Sequence, residues 1–166
     1  MSEKRETVSE GTHTGGEAAS KERLRLWLRV LKSSRMVEAR LRENLRVEFA
    51  TTLPRFDVMA ALSRFEDGLK MSQLSGVLKV SNGNVTGIVD RLAEDGLLVR
   101  VPVPGDRRAS LVRLTQRGRE DFARQAEAHE QWIDQMLGQI SAEDARAIGQ
   151  HLEHLEARLT TEGTAT

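Results

Sequence analysis

Hydrophobic and polar positions follow two different periods along this chain, and the change from one to the other divides it. From Lys21 to about Ala50, Leu24, Trp27, Leu28, Leu31, Val37, Leu41 and Leu45 recur every three or four positions, the spacing of one face of a helix. That run is too long for a small single-domain core to cover, so part of its stripe calls for a partner surface. "TTLPRFDVMAALSRFEDG" predicts a second helix, with Pro54 in its first turn, an apolar stripe of Phe56, Val58, Met59, Leu62 and Phe65, and Gly68 as its stop. Two short helices follow. Ser72 is placed to cap one bearing Leu74, Val77 and Leu78, Val80 turns the chain, and Ser81 is placed to cap another bearing Val85, Ile88, Val89 and Leu92, ended by Gly96. Helices joined by so tight a turn must cross steeply, which is a helix-turn-helix.

Past Gly96 the period falls to two. "LLVRVPV" sets Val99, Val101 and Val103 on one parity, "ASLVRLT" sets Ser110, Val112 and Leu114 on one parity, and Pro104, Gly105 and Asp106 supply the turn of a hairpin. Pro102 marks the first run as an edge near its tip. Thr115 then caps a long helix carrying Phe122, Ala126, His129, Ile133, Met136 and Leu137. A last helix opens at Ser141, with Asp144 at the capping-box position, and carries Ile148, Leu152, Leu155 and Leu159. Residues 1–20 and 161–166 are polar, without a hydrophobic period, and are expected to be disordered tails.

Composition narrows the function classes. With 166 residues the chain suits one compact domain, extended by helices that pack on a partner. Aromatics make up only 4% and Tyr is absent, which disfavours a stacking platform for single strands. The absence of Cys excludes disulfides, a thiolate nucleophile and cysteine-ligated zinc. No run approaches the roughly 18 apolar residues of a membrane span, and the first twenty residues lack the apolar centre of a signal peptide. A cytoplasmic protein with no membrane partner is expected. No Gly-rich phosphate loop, H-E-x-x-H or nucleophile elbow is present, so neither an enzyme nor a cofactor is expected. His151 and His154, one turn apart on one helix, could ligate a metal with His129, but partly exposed helical His pairs are common and no metal site is assigned to them.

The formal charge is zero, but its distribution is uneven. Residues 21–50 carry Lys21, Arg23, Arg25, Arg29, Lys32, Arg35, Arg40, Arg42 and Arg46 against four Glu. Residues 100–119 carry six Arg against Asp106, whereas residues 120–159 carry nine acids against three Arg. One positive face and an acidic remainder point to a polyanionic partner. Opposite the apolar stripe of the helix after Ser81 lie Ser81, Asn82, Asn84, Thr86, Gly87, Asp90 and Arg91. Asn grips adenine through its amide, Ser and Thr bond several base edges, and Arg prefers guanine or phosphate, so this is a face that reads double-stranded DNA. Gly83 and Gly87 cost helix propensity and are expected to let backbone approach DNA closely. A hairpin directly after such a helix is a wing, and Arg107 and Arg108 at its tip are placed for the narrow minor groove.

"MSQLSGVLKVSNGNVTGIVDRLAEDGLLVRVPVPGDRRASLVRLTQRGRE" closely resembles the core of the MarR family of bacterial winged-helix transcriptional regulators, and "LPRFDVMAAL" resembles the helix before it. The resemblance implies a mostly α fold with a small β-hairpin wing: a winged helix-turn-helix at residues 51–118, an N-terminal dimerisation helix at 21–50 and C-terminal dimerisation helices at 119–160. It further implies a homodimer on a pseudopalindromic operator, DNA contacts at Ser81, Asn82, Asn84, Thr86, Arg91, Arg107 and Arg108, and repression relieved by a small effector. The first helix looks like that of the branch regulating aromatic catabolism, some members of which sense acyl-CoA thioesters. On that likeness Arg23, Arg25 and Arg29 are placed for phosphates, with Trp27 and Met36 lining an acyl pocket. The other function class is a winged-helix protein-interaction module without sequence-specific DNA binding.

Overall fold

The computed structural model describes residues 13–103 and 106–162; the side chains of residues 13–15, 82, 106–109 and 162 lie outside the description. Among the described residues, six helices and three strands follow in the order α1 (His13–Phe49), α2 (Leu53–Ser63), β1 (Leu69–Lys70), α3 (Met71–Leu78), α4 (Asn82–Glu94), β2 (Leu98–Val103), β3 (Asp106–Leu114), α5 (Gln116–Leu137) and α6 (Ala142–Glu162). Among the described residues no helix is long and apolar enough to cross a membrane.

Helix α1 corrects the expected tail. Residues 13–20 are helical, because Ala18 and Ala19 favour helix and the Glu17 carboxylate pairs with Lys21 Nζ one turn on, at 2.6 Å. At 37 residues, α1 extends about 55 Å. Helix α6 likewise carries residues 161 and 162 beyond the expected boundary, while residues 1–12 and 163–166 lie outside the described residues.

The winged-helix core is built from Val58, Met59 and Leu62 of α2, Leu74 of α3, Val85, Val89 and Leu92 of α4, Leu98 of β2 and Val112 and Leu114 of β3. Its helix-turn-helix turn is made without glycine. Lys79 takes the left-handed conformation (φ 53°), and Val80 N–H returns to the Ser75 carbonyl at 3.2 Å, closing α3 before Ser81 opens α4. Helix α3 starts two residues earlier than the Ser72 cap predicts: Lys70 precedes it, and the Gln73 side chain accepts from Lys70 N–H at 2.9 Å. Helix α2 stops at Ser63, before Gly68. That glycine (φ 89°) instead lets the chain turn into β1, where an added Cβ would stand 2.6 Å from the Val112 carbonyl oxygen.

The sheet has the order β1-β3-β2 and is antiparallel throughout. Strand β1, only two residues long, has no periodicity for a sequence pattern to reveal. In β2 the valines do not form the buried row. Leu98 and Arg100 stand opposite Leu114 and Val112 on the core side, whereas Val99 and Val101 stand opposite Arg113 and Leu111 on the outer side. Alternation in the sequence marks the strand but not which parity faces the core.

Thr115 and Gly118 dock α5 onto this unit. The Thr115 hydroxyl donates to the Gly96 carbonyl at 2.8 Å and accepts from Gly118 N–H at 2.9 Å, capping the helix and tying it to the turn after α4. A second cluster joins Leu41 and Leu45 of α1, Phe56 of α2 and Trp132 of α5. Ser141 caps α6, its oxygen accepting from Asp144 N–H at 3.0 Å. Helix α6 adds no residue to either core cluster, and its Ile148, Leu152, Leu155 and Leu159 are exposed.

Candidate nucleic-acid interface

Helix α4 buries Val85, Val89 and Leu92 completely, which turns Asn84, Thr86, Gly87 and Arg91 outward, with Ser81 exposed at its N-terminus. Of the expected DNA-contact residues, Ser81, Asn84, Thr86 and Arg91 therefore share the exposed side of one helix, and the side chain of Asn82 lies outside the described residues. An added Cβ at Gly83 or Gly87 meets no atom within 4 Å, so neither glycine is required by packing. Bare helix backbone at those two positions narrows the closest approach of anything that lies along α4.

The wing carries a bulge where the arginines fall. Asp106 stands opposite Val103 and Ser110 opposite Pro102, so residues 107–109 are the surplus of β3 over β2. The side chains of Arg107 and Arg108 lie outside the described residues. At the wing's root, Arg100 Nη2 donates to Asp90 Oδ1 at 2.5 Å, linking β2 to α4. A second ion pair, Arg55 Nη2 with Asp95 Oδ2 at 2.5 Å, holds the start of α2 to the residue that ends α4. Neither pair can be read from the sequence, since each joins residues whose proximity the tertiary fold creates.

Between α2 and the helix-turn-helix lies a cleft of about 440 Å³, mostly apolar, lined by Asp57 and Val58, Leu78 and Val80, and Asn84 and Ile88. Asp57 is exposed at the edge of this cleft. Partial loss of water around its carboxyl pushes it above the usual carboxylate range, the nearby Glu38 carboxylate adds to the effect, and Arg42 opposes it. The signal for Asp57 in the sequence is a carboxylate set within the apolar run "FDVMAAL".

The expected effector residues of α1 are not brought together by one chain. Trp27 and Met36 are 57% and 63% exposed. They are nine residues apart, about two and a half turns, which puts them on opposite sides of the helix. Arg23 and Arg29 are exposed, and Arg25 pairs with Glu22. One α1 helix therefore does not bring Trp27 and Met36 to the same pocket.

A family model described as the MarR family matches residues 51–109. The regulator PecS of Dickeya dadantii is 31% identical over 106 residues, which are 63% of this chain and 64% of PecS. The transcriptional activatory protein BadR of Rhodopseudomonas palustris is 31% identical over 123 residues, 72% of this chain and 70% of BadR. The matched stretches span about two thirds of these two relatives. The crystal structure of a MarR family transcriptional regulator from Silicibacter pomeroyi is 35% identical, covers 85% of this chain and 97% of that one, and superposes with a TM-score of 0.71. The chain belongs to the MarR family. MarR proteins are winged-helix, DNA-binding transcriptional regulators and not enzymes, which is the class the exposed face of α4 indicates. CouR of Rhodococcus jostii RHA1, 19% identical with a TM-score of 0.70 over 78% of this chain and 90% of CouR, shares the fold, and its crystal structure is bound to p-coumaroyl-CoA.

Proposed function

We propose that this chain acts in the cytoplasm as a homodimeric repressor, which occupies a pseudopalindromic operator and is released by a small aromatic acid or its acyl-CoA thioester. The observation that carries the reading is the division of its surface. Polar Asn84, Thr86 and Arg91 are exposed on α4, while Trp27, Leu28, Leu152, Leu155 and Leu159 are exposed on α1 and α6, apolar side chains that one chain leaves uncovered. Two copies joined through α1 and α6 present two α4 helices to successive turns of a duplex, half-sites about 10 to 10.5 bp apart or a multiple of that. The cleft beside Asp57 touches α4 through Asn84 and Ile88, so a small aromatic acid seated there biases the pose of the reading helix. Arg23, Arg25 and Arg29 are the cations of α1 for the phosphates of a CoA, with Trp27 of one copy and Met36 of the other as apolar walls. BadR is named as an activator; whether a bound dimer blocks or assists transcription depends on where the operator lies relative to the promoter, and repression is the reading for an operator overlapping it.

Titration of operator and scrambled duplex over a salt series tests this reading. Asn84→Ala is expected to lose about 1 to 3 kcal/mol on the operator alone, the worth of a bidentate base contact. Arg108→Ala is expected to weaken both duplexes and to lower the salt slope by roughly 0.9 for each phosphate that is no longer neutralised. An aromatic acyl-CoA added to the operator complex is expected to release the DNA while the free acid does little. Equal loss on both duplexes for Asn84→Ala removes its reading role, and equal release by free acid removes the CoA.

A further inference from the structure

The wing leaves the body with little packing to aim it. Leu98 is the buried residue of β2, and from Val99 onward the strand is exposed or half-buried. Arg100 follows on the core side, opposite Val112, at the point where the hydrophobic core ends. Its guanidinium crosses to α4 and donates to Asp90 at 2.5 Å. Arg100 lies three residues before Val103, the end of β2, about 10 Å of extended chain. A rotation of about 10° at Arg100 therefore moves the tip by roughly 2 Å, enough to break any hydrogen bond made there.

Asp90 is the other half of the observation. It sits on the exposed side of α4, with Arg91 beside it and Gly83 and Gly87 two turns and one turn before it. An acid on the side of a helix that faces DNA repels phosphate, unless a cation neutralises it. Both partners are substantially exposed, 37% for Arg100 and 51% for Asp90, and an ion pair so open to solvent contributes little to folding. Its effect is on geometry and charge at the DNA-facing surface.

We infer that Asp90 and Arg100 are positioning residues for DNA binding: the pair locks the angle of the wing against α4 and cancels the charge of Asp90, and neither side chain contacts DNA. The inference rests on the wing meeting DNA, as proposed above. Arg100 thus differs in role from Arg91, and from the Arg107 and Arg108 proposed to meet DNA. The loss of either partner frees the wing, so the loss of both costs no more than the loss of one.

The test uses the full chain and a duplex selected by the wild-type protein from a random pool, with a scrambled duplex beside it. Asp90→Asn, Arg100→Met, the double variant, the charge swap Asp90→Arg with Arg100→Asp, and Arg108→Ala are titrated over a salt series. Each single variant at 90 or 100 is expected to bind the selected duplex about tenfold more weakly, the double variant no more weakly than the singles, and the swap within about threefold of wild type. Urea midpoints are expected to stay at the wild-type value. If Arg100 instead grips a phosphate, Arg100→Met lowers the salt slope by roughly 0.9, Asp90→Asn binds more tightly than wild type, and the swap is the weakest of all. That pattern, or additive losses, overturns the inference. Arg108→Ala separates the two readings: wild-type binding by that variant removes the wing contact itself, whereas weakened binding together with additive losses at 90 and 100 removes only the lock.

Discussion

At Gly118 two effects of opposite sign meet. Alanine is the better helix former by about 1 kcal/mol, and on propensity alone Gly118→Ala stabilises α5. The added Cβ, however, stands 2.0 Å from the Leu97 carbonyl oxygen and 3.3 Å from a Leu114 methyl, and the first is backbone that cannot step aside. Overpacking of this kind costs about 1 to 3 kcal/mol or more, so the clash wins. Gly118→Ala is expected to lower the midpoint of urea unfolding with an unchanged slope; a midpoint at or above wild type contradicts this packing. The stretch from Leu114 to Gly118 works as a unit: Leu114 fills the core, Thr115 caps α5, and Gly118 lets the helix touch the turn that Thr115 holds. The cap at Thr115 is legible in the sequence because Gly118 N–H lies three positions on, whereas the need for glycine at 118 is set by Leu97, 21 positions earlier, and is not.

Helix α2 is the element on which the two halves of the chain meet. Its Val58 and Leu62 enter the winged-helix core, while Phe56 enters the cluster with α1 and α5. Phe56 stacks on His129 of α5, with ring centroids 4.7 Å apart and planes 16° apart, and packs against Phe122 at 5.5 Å. Burial holds the His129 imidazole below its ordinary value of 6.5, so the folded chain favours the neutral ring. The unfolded chain takes up this proton first as pH falls. Stability is therefore full above pH 6.5 and declines as pH drops below it toward the folded value. His129→Phe keeps an aromatic ring over Phe56 and removes the proton site. Between pH 7 and 5 the wild type is expected to lose more stability than this variant in urea unfolding, and parallel pH profiles refute a role for His129. The sequence places His129 on the apolar stripe of its helix, but its ring partner lies 73 positions earlier and is set by the packing of α2 on α5.

On the scale of the whole molecule, one chain leaves a large part of its hydrophobic pattern uncovered. Leu152, Leu155 and Leu159 are 42%, 51% and 60% exposed, and α6 contributes to neither core. A single α6 in water loses most of the reason to be helical, because an amphipathic helix is stabilised chiefly by burying its apolar face. Leu152→Glu with Leu155→Glu puts two charges in the proposed interface. Wild-type protein is expected to sediment as a dimer at micromolar concentration and the double variant as a monomer, with operator affinity at least tenfold weaker because the second half-site is no longer tethered to the first. A dimeric double variant, or a monomeric wild type, refutes the interface on α6.

What the sequence determined by itself is everything set by near neighbours along the chain. The helical and strand periods, the cap at Thr115, the tight turn into Ser81 and the polar outer face of α4 each depend on residues a few positions apart, and each stands where the pattern put it. The tertiary structure decided what depends on distant partners. It chose which parity of β2 faces the core, since alternation is the same read from either side. It paired the two-residue β1 with β3, too short a strand to carry a period. It joined Asp90 to Arg100 and Arg55 to Asp95, and it raised the carboxyl of Asp57 by partly desolvating it beside Glu38 of α1. Local periodicity decides that an element forms and which of its residues share a face; the opposing surface, supplied from elsewhere in the chain, decides what that face meets and so which charges are cancelled and which remain for DNA.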